Sequence, residues 1–414
     1  MMRRRLSLLP FALVLLSPAA AAFAALSVHT NFEGGSARVV KLDPESRTVT
    51  IMPGGDSTRG WACWWALRLE GLEAGQKVTL KLLPSDQRQH QSTAGKGNPP
   101  LSASWSRPLH PSLSKDGSTW TYGAAGKVEG DKMVYSITPE TASLWVAWGP
   151  LFTGTTGSAL IDRLARQHPS WVTPFTLATT REGRPVPAMR IAAGEGKPVV
   201  WLQARQHAWE SGASVVGEGV VQWLLSEEPL ARQLRETAEI VFVPVMDVDH
   251  VATGDGGKDA LPQDHNRDWK DEPHWPEVAA AQKQMLAYAA QGRLKVFCDL
   301  HNPAPGDKKA FFFVTPKDLI GEPAWESQKH FIELTRRAFA GNPIPLEITP
   351  RESGTSYHPL WRQISKNWVH EKCGKDILSL TLETPWNTPV STVEGYHKTG
   401  ACLGRALAGY LAPK

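Results

Sequence analysis

The stretch "PVVWLQARQHAWESGASVVGEGVVQWLL", residues 198–225, opens as an unbroken apolar run and closes as a helical stripe. An apolar run without alternation marks a strand buried on both faces. Val215, Val216, Val220, Trp223 and Leu224 then recur at helix spacing. A strand feeding directly into a helix predicts one unit of an open α/β sheet, and ligand sites in such sheets gather beyond the carboxyl ends of strands. His207 and Glu210 lie at that junction, three residues apart. On a helix-like turn the two side chains face one way and can hold one cation. A helix start with a carboxylate near the positive end of its dipole reads equally well from these residues alone.

Strand and helix patterns keep alternating downstream. "AEIVFVPVM", "RLKVFCDLH" and "DILSLTLETPW" read as buried strands, while "PEVAAAQKQMLAYAA", "EPAWESQKHFIELTRRAFA" and "TVEGYHKTGACLGRALAGYL" read as helices. Residues 156–414 are therefore expected to form an α/β domain, a mixed and mostly parallel sheet with flanking helices. Upstream the pattern changes to short apolar or alternating runs such as "TVTIM", "WWALRLEGL" and "KVTLKLL", separated by "PGGD", "LEAGQ" and "KDGS". Residues 25–155 are expected to form a smaller all-β sandwich with antiparallel pairing. Its tryptophans, among them Trp61, Trp64, Trp65, Trp105 and Trp148, suit core and interface packing better than a sugar-stacking face.

Residues 1–24 combine Arg3, Arg4 and Arg5 with an apolar run and an Ala22-Phe23-Ala24 cleavage pattern. That is a secretory signal peptide, so the protein is expected to be exported, periplasmic or secreted, without stable membrane insertion after cleavage. Without those arginines, 42 basic residues face 41 acidic ones. A balance so near neutrality gives no field to attract nucleic acid, and none is expected as a partner. Cys63, Cys298, Cys373 and Cys402 form no dense framework and no CxxC pattern; a Cys373–Cys402 bridge stays open.

Three further stretches carry chemistry. "FCDLHNP" puts His301 just past an apolar strand, a third ligand that would leave a zinc ion one open position. "LSLTLETPW" puts Glu383 where a buried strand ends, and a carboxylate taken out of water there needs a reason, such as general-base work. "QDHNRDW" offers Arg267 for bidentate grip of a carboxylate, with Asn266 beside it.

With H-x-x-E, N-R, H and E in that order, the chain resembles the zinc metallocarboxypeptidase superfamily. It is most similar to the cytosolic-carboxypeptidase-like branch, which has a β-rich domain before the catalytic one. "LQARQHAWES", "FVPVMDVDHV", "DHNRDW", "FCDLH" and "TLATTREGRPVPAMRI" carry the resemblance. It implies one Zn2+ held by His207, Glu210 and His301, with Glu383 as general base. It also implies Asn266 and Arg267 on the substrate's terminal carboxylate, and Asp264 orienting His207 from behind. The substrate implied is the C-terminus of a peptide or protein.

Three departures from the family pattern bear on chemistry. Gly257 falls where the family offers an oxyanion-stabilising arginine, and Lys258 is the nearest cation. Ala208 and Trp209 replace the small residues that follow the first zinc histidine. The mobile catalytic tyrosine has Tyr357 as its nearest counterpart, with His358 or His370 as alternatives. Zinc amidases, deacylases and cell-wall peptide carboxypeptidases share the ligand set and remain a second reading. A non-catalytic peptide-binding relative is a third.

Overall fold

The computed structural model describes residues 25–90, 98–192 and 194–412, so the signal-peptide reading of residues 1–24 lies outside the described residues. The alternating runs upstream pair into two five-stranded sheets. One orders Ser27–His29, Ala66–Glu70, Ser143–Ala147, Ser112–Ser114 and Thr121–Tyr122. The other orders Arg38–Asp43, Thr48–Met52, Val78–Leu82, Lys132–Ile137 and Lys127–Glu129. Period-two burial follows the sequence: Val78, Leu80 and Leu82 are buried while Thr79 and Lys81 are not. Inward residues of both sheets, such as Val49, Leu80, Tyr135, Leu67 and Val146, share one core, which makes the pair a sandwich. Pairing departs from the antiparallel expectation once, because Thr48–Met52 runs parallel to Val78–Leu82. Between them the chain crosses to the opposite sheet as Ala66–Glu70, a route no tight hairpin provides.

The second part is an eight-stranded mixed sheet. Its order is Val172–Thr179, Pro185–Ile191, Glu239–Val243, Val199–Ala204, Leu294–His301, Leu378–Glu383, Phe311–Val314 and Arg351–Glu352. The run from Glu239–Val243 to Leu378–Glu383 is parallel, and antiparallel strands join it on either side. Every residue of Val199–Ala204 and Glu239–Val243 is buried, as strands covered on both faces and rich in apolar residues should be. Helices Ser211–Leu224, Pro276–Ala290, Glu322–Ala338 and Val393–Leu411 pack on this sheet's core. Among the described residues no helix is long and apolar enough to cross a membrane.

Chain order decides where the site lies. Val199–Ala204 is followed by its neighbour Glu239–Val243 on one side, and the chain then returns on the other side as Leu294–His301. The strand order reverses between Val199–Ala204 and Leu294–His301, and a crevice opens at their carboxyl ends. His207 follows the first strand and His301 closes the second.

Candidate metal centre

The turn between strand and helix is built to present two side chains. Arg205 has a left-handed backbone, φ 65°, which costs a non-glycine residue about 1 kcal/mol or more. Its buried guanidinium offsets this by donating to the Ala208 carbonyl at 2.7 Å and to the Phe152 carbonyl. Burial pushes the Arg205 pKa down to about 9, against the pull of Asp247 and Glu210. Glu210 stands at the N-cap of Ser211–Leu224, yet its side chain caps nothing. Asn302 takes that task, its Oδ1 accepting from Ala213 N at 3.0 Å. The Glu210 carboxylate turns instead to two imidazoles, so the plain helix-start reading does not account for it. Oε1 lies 2.8 Å from His207 Nδ1 and Oε2 lies 2.7 Å from His301 Nδ1.

His207, Glu210 and His301 are all buried, and one donor atom from each lies within 4.8 Å of the others. Both rings face Glu210 through Nδ1 while Nε2 is engaged from behind. Asp264 Oδ1 sits 3.2 Å from His207 Nε2, and Asp299 Oδ2 sits 3.0 Å from His301 Nε2. Such outer carboxylates fix ring orientation and raise ligand basicity. Burial raises the Glu210 pKa, but the two histidines outweigh it and hold the carboxyl down at about 2. Two imidazoles and a carboxylate with an open fourth side form the donor set of catalytic zinc. These residues fit that ion.

Glu383 is brought to the same place by register, pairing directly with His301 across two parallel strands. Among the described residues its buried Oε2 has no hydrogen-bond partner. Burial lifts its pKa to about 7, partly offset by His301. Asp264 caps the 3-10 turn His265–Arg267 by accepting from Asn266 N at 2.7 Å. Asn266 has both amide ends engaged: Oδ1 accepts from Ser365 N at 3.0 Å, and Nδ2 lies 3.3 Å from His301 Nε2. Arg267 donates from one terminal nitrogen to the Asn266 carbonyl at 2.6 Å, and its buried Nε has no partner among the described residues. Of the expected N-R pair, Arg267 thus keeps most of the free donors.

A cavity of about 240 Å³ joins these groups. His207, Glu210, His301, Glu383, Asn266, Arg267, Lys258 and Tyr357 all line it. Tyr357 is 45% exposed at the mouth and packs on Phe313. His370 lies elsewhere, bonded to Thr315 Oγ1 and the Ile377 carbonyl, which removes it as the tyrosine's stand-in. Trp209 lines the cavity and also packs edge-on against Trp105 and Trp148, so it narrows the site and belongs to the core at once. The possible Cys373–Cys402 bridge is absent, since both are free cysteines.

Asp299, Asn302, Trp105 and Arg351 were not found from sequence. Asp299 was legible in principle, because in "FCDLH" it shares a strand face with His301 two residues on. Asn302 and Trp105 act through contacts with distant segments and carry no local signal. Arg351 lines the cavity stacked on Phe311 and paired with Asp307 at 2.8 Å.

The zinc carboxypeptidase pattern matches residues 158–293, and the cytosolic carboxypeptidase N-terminal domain pattern matches residues 28–148. The chain belongs to the zinc carboxypeptidase superfamily. Its donor set and fold are those of a zinc metallocarboxypeptidase centre. Cytosolic carboxypeptidase 1 of Gallus gallus is 23% identical over 404 residues, covering 85% of this chain and 33% of the relative. Cytosolic carboxypeptidase 4 of Homo sapiens is 31% identical over 231 residues, covering 48% and 21%. The chain thus spans a third or less of the length of these curated relatives. A metallo-carboxypeptidase structure from Burkholderia cenocepacia shares the fold, with a TM-score of 0.74 at 24% identity over 94% of this chain and 99% of that one. A metallo-carboxypeptidase structure from Pseudomonas aeruginosa aligns with the same TM-score at 20% identity, over 92% and 98%.

A second buried group of this zinc carboxypeptidase relative, Asp247, His250 and His265, lies beneath the turn that carries Asp264. Asp247 caps helix Val248–Thr253 and receives His250 Nδ1 at 2.7 Å; His265 Nε2 lies 2.7 Å from Glu277. Burial pulls the His265 pKa down, but Asp247 and Glu277 outweigh it and raise the value from 6.5 to about 9. A raised folded-state pKa stabilises fully below 6.5 and is lost as pH rises through about 9. At ~1.4 kcal/mol per unit, the contribution is about 3 kcal/mol at most. Urea unfolding at constant zinc should therefore show wild type losing about 2–3 kcal/mol more than His265→Gln between pH 6.5 and 9.5. Parallel curves for the two proteins would count against this ion pair.

Proposed function

We propose that the protein is an exported zinc-dependent carboxypeptidase that hydrolyses C-terminal residues from peptides or proteins. The observation that carries the reading is one cavity shared by the His207/Glu210/His301 donors, the Glu383 carboxylate and the Arg267 guanidinium. His207, Glu210 and His301 would hold one zinc ion, with Asp264 and Asp299 keeping the two rings aimed. When bound, zinc would supply Lewis-acid polarisation of the scissile carbonyl and a more acidic attacking water.

The chain's own groups do the rest. Arg267 pairs with the free terminal carboxylate and sets the scissile bond one residue from the end. Glu383 takes a proton from the attacking water and passes it to the leaving nitrogen, so water is added across one peptide bond. Burial makes this carboxylate more basic than a free one, which suits it to take that proton. Lys258 meets the negative charge that develops on the carbonyl oxygen. Tyr357 stands at the mouth, where it can close over the substrate's last residue.

The test compares one peptide with a free and an amidated C-terminus, with metal content measured alongside. One zinc per chain and release of single residues from the free peptide are expected. Amidation, or Arg267→Ala with the free peptide, should each lower kcat/KM about a hundredfold, the scale of a lost charged hydrogen-bond pair. Equal turnover of the two peptides would discard the carboxypeptidase reading in favour of amidase or deacylase chemistry.

A further inference from the structure

The loop that carries Lys258 is held by the other half of the molecule. Residues 257–261 run against residues 58–61 of the N-terminal sandwich. Leu261 N donates to the Thr58 carbonyl at 2.7 Å, Gly257 N to the Arg59 carbonyl at 2.9 Å, and Trp61 N to the Lys258 carbonyl at 3.1 Å. Trp61 Nε1 donates to Asp259 Oδ2 at 3.2 Å, and Arg59 Nε to Asp255 Oδ2 at 2.6 Å. The backbones touch so closely that a Cβ on Gly60 would lie 2.2 Å from Gly257 N. Lys258 Nζ then reaches into the cavity 5.5 Å from the centre of the Trp61 ring. The Asp264 and Glu383 carboxylates attract that ammonium through space, and the Trp61 ring supplies the aromatic face beside it. A cation over an indole face is attracted by the ring quadrupole, and it stays free to meet a further negative charge.

We infer that the N-terminal sandwich is part of the catalytic apparatus: residues 58–61 fix the loop that bears Lys258, and Trp61 is the positioning residue that sets where its ammonium lies. The inference rests on the peptidase reading above for the task Lys258 performs. Trp61 touches neither ligand nor substrate carboxylate in this scheme, and its influence runs through Lys258. Trp61 also packs edge-on against Trp105, 4.8 Å between ring centres, and Trp105 packs on Trp209 between the ligands. The same aromatic wall therefore keeps the ring itself in place.

A double-mutant cycle on the full chain tests this. Lys258→Met should lower kcat about a hundredfold, the scale of a lost oxyanion donor. Trp61→Leu should lower kcat about tenfold with KM within twofold, and Trp61→Phe, which keeps a ring, should recover most of that loss. In the Lys258→Met background, adding Trp61→Leu should change kcat less than twofold. A tenfold loss in both backgrounds would overturn the proposal, because the effect would then not pass through Lys258. Acetic anhydride labelling of the zinc-free protein, read by peptide mass spectrometry, supplies a measure independent of turnover. Lys258 should label at least threefold faster in Trp61→Leu relative to the other lysines. An unchanged ratio would overturn the positioning role. A wild type without peptidase activity would instead remove the reading beneath it, and the labelling ratio still decides whether Trp61 holds Lys258.

Discussion

Glu383→Gln leaves zinc bound at one per chain and lowers kcat about a thousandfold or more, with KM changed only a few-fold. The size follows from what the substitution removes. Gln is close in shape to Glu and keeps the packing beside Phe311, the residue that faces it on the antiparallel strand. It cannot accept and return a proton, and positioned acid–base groups contribute about 10²–10⁴ in rate. Zinc retention follows from geometry, since the Glu210 carboxylate bridges the two histidines while Glu383 Oε2 stands alone. Metal analysis and steady-state kinetics on a free-carboxylate peptide check both parts. A variant retaining a tenth of the activity with zinc in place would mean that another group takes the proton.

The fold was legible because its strands announce themselves. Val199–Ala204 is buried throughout and Leu294–His301 at every residue but Lys295, so both sequences are mainly apolar and their ends are easy to see. Placing His207, His301 and Glu383 near strand ends required only those ends and the rule that α/β sites gather there. What the sequence could not carry was lateral register. That His301 and Glu383 sit opposite each other depends on the pairing of Leu294–His301 with Leu378–Glu383, which no local pattern encodes. The sandwich's share in the site was hidden for a similar reason. Trp61 and Trp105 look like core aromatics, yet Trp105 lines the cavity, and only the docking of residues 58–61 against residues 257–261 sets Trp61 beside Lys258. Trp209 shows the limit of choosing between packing and function, because one side chain does both.

The arginine expected at position 257 is missing for a reason the backbone supplies, and restoring it should damage the protein. Gly257 has φ 75°, a left-handed conformation that side chains rarely adopt. A Cβ there would lie 2.5 Å from Asp247 Oδ2 and 2.6 Å from Ala208 N. Those neighbours belong to the buried Asp247/His250/His265 group and to the turn between the ligands His207 and Glu210. Neither is the movable tip of a surface side chain, so the strain has nowhere to go. Gly257→Ala should cost roughly 2–5 kcal/mol, combining about 1–2 for the left-handed backbone with about 1–3 for overpacking. Gly257→Arg should cost more and displace Ala208, which would weaken zinc binding at least tenfold while adding no catalytic cation. Urea unfolding and zinc competition against a chelator measure the two effects. A Gly257→Arg protein that folds with wild-type stability and gains activity would show that the loop can open, and that Lys258 is not the cation this backbone selects.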